Sequence, residues 1–218
     1  MKILSFALTA MLVLAGTAIS QAASLNDRLS EAITILSNRQ NSGHPIPQGL
    51  LDGARGVAIV KVTKGGLVFG GTGGQGVILA RNGTGWSAPS AFNLSGGSFG
   101  AQIGFETKRL IIVLNSERAF RVFAGEGKTK WDATATGSAG NDKLRESASD
   151  WKKLPIVVFE DNEGVFGGAT FGGTSIDVAH DDNERAYGEG VTVHDILGGK
   201  VNAPRLAHRL DALLKGQK

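Results

Sequence analysis

Residues 68–77 read VFGGTGGQGV, and within them Gly71-Thr-Gly73-Gly-Gln-Gly76 satisfies the G-x-G-x-x-G pattern of a dinucleotide-binding turn. That fingerprint requires a helix to start at its third glycine, because the helix N-terminus binds the pyrophosphate. Here Gly76 runs instead into Val77-Ile-Leu-Ala-Arg81 and then Asn82-Gly83, a strand followed by a strong hairpin signal. The acidic residue expected about 20 positions further on would fall near Gly96, where there is none. The stretch therefore reads as a strand. Glycine inside a strand lets a second backbone or an aromatic ring approach closely, or permits a bulge or a tight bend.

The surrounding sequence supports that reading. Glycine makes up 32 of the 218 residues, about twice the average usage of roughly 7%. Thirteen of them lie between Gly65 and Gly104. Val57–Val62, Leu110–Leu114 and Pro155–Phe159 are aliphatic strands, and Lys64-Gly65-Gly66 is a turn. Val68-Phe69-Gly70-Gly71 followed by Gly76 matches Val165-Phe166-Gly167-Gly168 followed by Gly173 at a constant offset of 97 positions. Each copy follows an aliphatic strand and a glycine turn, so the unit is strand, turn, glycine-rich strand. Gly71 and Gly168 are expected to be structural, with rings from Phe69, Phe99, Phe166 and Phe171 filling the bends.

Helical spacing appears at the two ends. Leu25, Leu29, Ala32, Ile33 and Leu36 form one stripe over residues 25–37, with Asp27, Arg28, Glu31 and Ser37 on other faces. Pro47 suits the first turn of a short helix ending near Arg55, with Gly56 as its cap. Asn115 or Ser116 caps a helix through Phe123, stopped by Gly125. Leu144, Ala148 and Trp151 mark a further helix. Thr192-Val-His-Asp195 resembles a capping box, and Asn202-Ala-Pro204 opens a last helix through Leu206, Leu210, Leu213 and Leu214. The expected fold class is α+β: a strongly curved, mainly antiparallel glycine-rich sheet with two similar strand–turn–strand halves and several short flanking helices.

Composition narrows the functional classes. Lys2, the apolar run Ile3–Ile19 and the small-residue site Ser20-Gln21-Ala22 read as a signal peptide over residues 1–22, leaving a single domain over 23–218. Thr17 stands where a lipobox cysteine would follow Leu14-Ala15-Gly16, and there is no cysteine anywhere. Lipid attachment at cysteine, disulfides and thiolate metal sites are excluded with it. The expected location is the periplasm or the medium. The net charge of +3, +2 without Lys2, is too small for the basic stripe of a nucleic-acid binder.

The catalytic motifs fail on their context. Gly96-Gly-Ser98-Phe-Gly100 satisfies G-x-S-x-G, but that elbow needs a strand–turn–helix, and Ala101-Gln-Ile-Gly-Phe-Glu106 is a poor helix. His180, His194 and His208 follow Ser98, so a serine hydrolase remains a minor alternative. Gly127-Lys-Thr129 resembles the end of a P-loop, but Val122 stands where its first glycine belongs. His180-Asp-Asp182 reads as a polar loop and not as a metal site. No cofactor is implied, and the chain is not expected to be an enzyme.

The order of segments resembles the SYLF domain family. The resemblance rests on Ile46-Pro47 with Leu50-Leu51, Ala54–Ile59, Lys64–Leu67, Gly76–Arg81 and Gly85-Trp-Ser-Ala-Pro-Ser90. It continues through Gly96-Gly97, Gln102–Gly104, Ile111–Leu114, Gly164–Gly168, Ala186-Tyr-Gly188 and Asp195-Ile-Leu197. Two positions depart from the family pattern: Asn141 after Ala139-Gly140, and Lys108-Arg109 where an acidic residue commonly stands. The resemblance implies binding of anionic lipid, with actin bundling in fungal members and an envelope location in many bacterial ones. It carries no catalytic residues. On that basis the expected function is a non-enzymatic anionic-phospholipid-binding module of the cell envelope. Arg55, Lys61, Lys64 and Arg81 would meet headgroups, joined by Lys108 and Arg109, each worth about 1 kcal/mol near the surface. The alternative is an envelope scaffold or protein-interaction domain with a protein partner and no lipid specificity.

Overall fold

The computed structural model describes residues 23–66, 69–99, 104–125, 151–161, 165–167 and 174–217. The segment 1–22 expected to be a leader, the helix expected around Leu144 and Ala148, Gly168 and Phe171 lie outside the described residues. The chain opens with helices α1 (Leu25–Asn41) and α2 (Gln48–Gly53), then strands β1 (Gly56–Gly66), β2 (Phe69–Asn82), β3 (Gly85–Trp86), β4 (Ser90–Phe99) and β5 (Gly104–Leu114). Helix α3 (Glu117–Phe123), strands β6 (Ile156–Glu160), β7 (Val165–Gly167) and β8 (Thr174–Val178), and helices α4 (His180–Tyr187), α5 (Val193–Leu197) and α6 (Arg205–Leu214) follow. The strands form one open sheet in the order β7-β6-β5-β1-β2-β4-β8, with β3 paired to the end of β2. Every pairing is antiparallel. The fold is α+β, as the sequence implies.

Alternation along the strands divides two hydrophobic layers. Val57 and Ile59 of β1 pair with Leu79 and Val77 of β2 and with Val113 and Ile111 of β5. These residues share one face, on which Leu29, Ile33 and Leu36 of α1, Leu50 and Leu51 of α2, and Leu210 and Leu214 of α6 are buried. Ala58, Val60, Ile78, Leu110 and Ile112 line the opposite face, against Phe123 of α3 and Leu197 of α5. The helices covering the first face stop short of the sheet's far end. Beyond Ile59 and Val77 that face continues with Lys61, Thr63, Gln75 and Gly73, all exposed.

The opening glycines are strand residues of β2, and the structure separates two kinds. Gly76 sits opposite Val60 and Phe92. A Cβ there would lie 2.4 Å from the Ile59 carbonyl oxygen, 2.8 Å from Val60 Cβ and 2.9 Å from the Phe92 ring. The ring that fills this slot meets Phe123 edge-on at 5.7 Å. Gly76 is therefore a packing glycine, and the aromatic partner is Phe92. Gly71 corrects the expectation from the repeat: a Cβ on it, or on Gly73, meets nothing within 4 Å among the described residues. Neither has a positive φ, so steric necessity explains neither, although glycine in a strand interior costs roughly 0.5–1 kcal/mol relative to alanine.

Other local readings are refined. The repeat does give two antiparallel hairpins, β1–β2 and β6–β7, but their registers differ. Val60 faces Gly76, whereas Val157, its counterpart at the 97-residue offset, faces Gly167 rather than Gly173. Gly56 is the first residue of β1 and not a helix cap. A Cβ on it would be 2.6 Å from the Phe120 ring and 2.8 Å from the Leu79 carbonyl oxygen. The sequence His180-Asp-Asp182 starts helix α4 instead of forming a loop. Ser116 caps α3 by accepting from the Ala119 amide, and Gly125 ends that segment at φ +75°. Thr192 and Asp195 form the expected capping box.

Two measurements test these assignments. Gly76→Val should lower stability by about 3 kcal/mol through overpacking, or roughly 6–12 °C in Tm for a domain of this size. Gly71→Val should leave Tm within about 2 °C, as exposed substitutions usually do. Hydrogen bonds from Thr192 and then Lys200 hold the Asp195 carboxyl at about 2. Its stabilising contribution is complete above the ordinary carboxylate pKa and is lost as pH falls through about 2. Thr192→Val should move the Asp195 titration, followed by carboxyl NMR, back toward 3.8.

Candidate functional site

The six cations expected to meet headgroups do not form one surface. Lys61 and Arg109 are direct cross-strand partners on the α1 side of the sheet, and Glu31 of α1 sits between them. Arg109 donates Nε to Glu31 Oε1 at 2.9 Å, and Lys61 Nζ lies 3.8 Å from Glu31 Oε2. The hydrogen bond that Arg109 donates to Glu31 raises the Arg109 pKa further. Lys64 and Lys108 belong to the opposite face by alternation. Lys64 stands across from Glu106 in the register, and Lys108 lies 3.2 Å from Glu106 and 3.9 Å from Glu160.

Arg81 lies six positions beyond Gln75, the cross-strand partner of Lys61, about 20 Å along the strand at ~3.3 Å per residue. Its guanidinium stacks over Trp86 at 5.1 Å and reaches Asp52 at 3.5 Å. Arg55 is exposed, and its backbone joins β5 and β2: its amide donates to the Leu114 carbonyl, and its carbonyl accepts from the Arg81 amide. Alternation and register thus divide cations that look alike in the sequence.

A concavity lies at the uncovered end of the first face. A groove of about 870 Å³ runs between the start of α1, the exposed ends of β1, β2 and β4, and the start of α4. Its floor is Thr63, Gly73 and Gln75; Asp27 and Glu31 stand on the α1 wall, and Asp181 on the α4 wall. Four carboxylates and two cations line it: Asp182 is the fourth carboxylate, and Arg28 and Lys61 are the cations. Glu31 and Asp182 are ion-paired, so the acidic character comes from Asp27 and Asp181, which have no ion pair among the described residues. Asp27 accepts from the Ser24 hydroxyl and amide, which lowers its pKa through those bonds.

The groove's inner end is built on a residue that the sequence reading put on an outer face. Arg28 is buried, with 1% of its side chain exposed. It donates Nη1 to the Phe92 carbonyl oxygen (2.7 Å), and Nη2 to Asn93 Oδ1 (2.9 Å) and to Asp182 Oδ2 (2.6 Å). Its Nε donates to the Ala23 carbonyl oxygen at 3.2 Å. Arg185 holds the other oxygen of Asp182. Next to it, Asn183 Oδ1 accepts from the Ala91 amide at 2.8 Å while Nδ2 donates to Ser90 Oγ at 3.0 Å. Arg39 is buried too, stacked over Phe159 at 5.1 Å, and burial draws its pKa down. A signal was present for both arginines. They stand three residues after Leu25 and Leu36, on the apolar stripe itself.

Ser98 is a strand residue of β4, paired with Gly70 of β2. Strand β5 begins six residues later, so the expected strand–helix elbow is not its setting. Among the described residues, no group of three or more His, Asp or Glu side chains is placed to hold a metal, and no helix is long and apolar enough to cross a membrane.

An open antiparallel sheet, layered with helices and ending in an acidic groove, defines an α+β domain. Comparison with known proteins gives the family. The profile described as "Ysc84: Las17-binding protein actin regulator" matches residues 95–217. Protein YSC84 of Saccharomyces cerevisiae is 34% identical over 178 residues, covering 79% of this chain and 38% of that protein. LAS seventeen-binding protein 3 of the same species is 31% identical over 178 residues, 79% of this chain and 39% of the relative. SH3 domain-containing YSC84-like protein 1 of Xenopus laevis is 30% identical over 191 residues, 86% of this chain and 57% of the relative. The chain belongs to the Ysc84 (SYLF) family. It spans from about two fifths to just over half of the length of these relatives.

The buried pair offers a direct test of the site's construction. Removing one partner of a buried ion pair strands the other charge, at a cost of about 3–5 kcal/mol. Asp182→Leu and Arg28→Met should each destabilise by that order in urea denaturation. The double variant should recover a large part of the loss, because no unpaired charge is left inside. Additive losses would mean that the two residues act separately.

Proposed function

We infer that the chain is a non-catalytic protein-interaction module whose contact surface is the acidic groove. The observation that carries this is the fate of the cations: Lys61, Arg81, Lys108 and Arg109 are each within 4 Å of a carboxylate, and the candidates divide between two faces. A surface held to lipid phosphate by electrostatics needs free cations on one side. The groove instead offers shape and polar groups on rigid elements, as a recognition site requires. The family description, Las17-binding protein and actin regulator, and the name of LAS seventeen-binding protein 3 point the same way, to a protein partner for those proteins. What carries over here is the kind of partner. With residues 1–22 acting as a cleaved leader, that partner is a protein of the cell envelope.

The absence of cysteine makes a site-specific test clean. A benzophenone attached to Gln75→Cys, inside the groove, should form discrete protein adducts in envelope fractions. The same probe at Asn26→Cys, on the outer face of α1, should not. Matching adducts at both positions, or lipid adducts alone at Gln75, would overturn this function, and the second outcome would restore the phospholipid reading.

A further inference from the structure

Strand β2 contains glycines that the fold needs and two, Gly71 and Gly73, that steric necessity does not explain. A side chain at Gly76 would strike Val60, Phe92 and the Ile59 carbonyl, whereas a Cβ at Gly73 meets no atom of the described residues within 4 Å and the backbone there is ordinary strand. Gly73 is also on the groove floor, directly between Thr63 of β1 and Ser95 of β4. The missing side chain thus leaves a stretch of bare backbone at the bottom of the cleft. Such a place in a strand is one where a second backbone or a ligand can approach closely.

We propose that the groove is a docking cleft for an extended, positively charged peptide segment of a partner protein, laid across Gly73 with its Arg or Lys side chains meeting Asp27 and Asp181. The proposal rests on the protein-interaction reading and adds the chemistry of the partner. Charge decides the class. Of the two cations in the lining, Arg28 is buried and committed to Asp182 and to three further acceptors, which use four of its five N–H donors. Lys61 is held only loosely, 3.8 Å from Glu31. Asp181 is exposed and makes no ion pair among the described residues. An anionic headgroup or an acidic peptide entering here would meet the carboxylates of Asp27 and Asp181, which have no ion pair among the described residues, and a cationic segment would find its complement in those two groups. The volume of about 870 Å³ falls in the range of sites that enclose a ligand of many atoms, well beyond a single ion.

The probes are a fluorescein-labelled nonapeptide alternating Arg and Thr, its Glu/Thr counterpart, and vesicles of phosphatidylcholine with phosphatidylglycerol. Fluorescence anisotropy at low salt should give saturable binding of the Arg/Thr peptide and none of the Glu/Thr peptide. Gly73→Val fills the floor and should weaken binding at least tenfold, with the Tm of the parent. Asp181→Lys, an exposed change, should weaken it at least fivefold and serves if Gly73→Val folds poorly. The proposal is overturned by no binding of the Arg/Thr peptide at millimolar concentration, by unchanged affinity in both variants, or by preferential binding of the Glu/Thr peptide. Vesicle binding that Gly73→Val abolishes would also overturn it. If the Gln75 probe still marks proteins while the cationic peptide fails, this proposal falls and the interaction module stands. If both fail, both fall.

Discussion

The guanidinium of Arg28 is the joint between the helical layer and the edge of the sheet. It leaves α1, passes through apolar packing, and ends among the Phe92 carbonyl, Asn93 and Asp182. A buried charge is tolerated only when it is paired and its donors are satisfied, and here Nε, Nη1 and Nη2 all have acceptors. Because Asp182 belongs to α4 and Phe92 to β4, one side chain fixes three elements in relation to one another. Asn183 extends the same joint by bonding the backbone of Ala91 and the hydroxyl of Ser90. The groove wall is a consequence: α4 stands beside the start of α1 because Asp182 must reach Arg28.

A second constraint acts along β2, whose two faces serve different purposes. On the inner side Gly76 makes room for Phe92, which in turn receives the edge of Phe123, so the ring stack and the missing side chain define each other. On the outer side a Cβ at Gly73 would touch nothing among the described residues. The same residue type is therefore a packing device at one position and a surface feature three residues away. Alternation separates the two, because neighbouring residues of a strand point to opposite faces.

Charge is organised by the same geometry. Glu31 approaches both Lys61 and Arg109 because the register sets those two side by side under α1. Lys108, one residue away, turns to the other face and meets Glu106 and Glu160. The pair Lys108-Arg109 looks in the sequence like a local basic patch. In the fold its members are neutralised separately on opposite sides. The positive charge of Lys108-Arg109 in this chain is in this way compatible with the groove next to it.

The sequence by itself determined most of the local structure, though not that Gly56 opens a strand or that His180 starts a helix. Gly76 running into Val-Ile-Leu-Ala marked a strand and not a phosphate turn, Asn82-Gly83 marked the hairpin, and Ser116 and the Thr192–Asp195 box marked helix starts. These were legible because caps, turns and periodicity depend on residues a few positions apart. The fold class and the family followed from their order. Tertiary structure alone decided that Arg28 is buried, since its partner Asp182 is 154 positions away. It decided too which glycines are required, since that depends on whether a ring such as Phe92 stands where a Cβ would go. The candidate site follows the same division. The basic residues could be named from the sequence, but whether each is free or neutralised depends on the sheet register. The groove is made of segments from both ends of the chain, and no local pattern encodes the space between them.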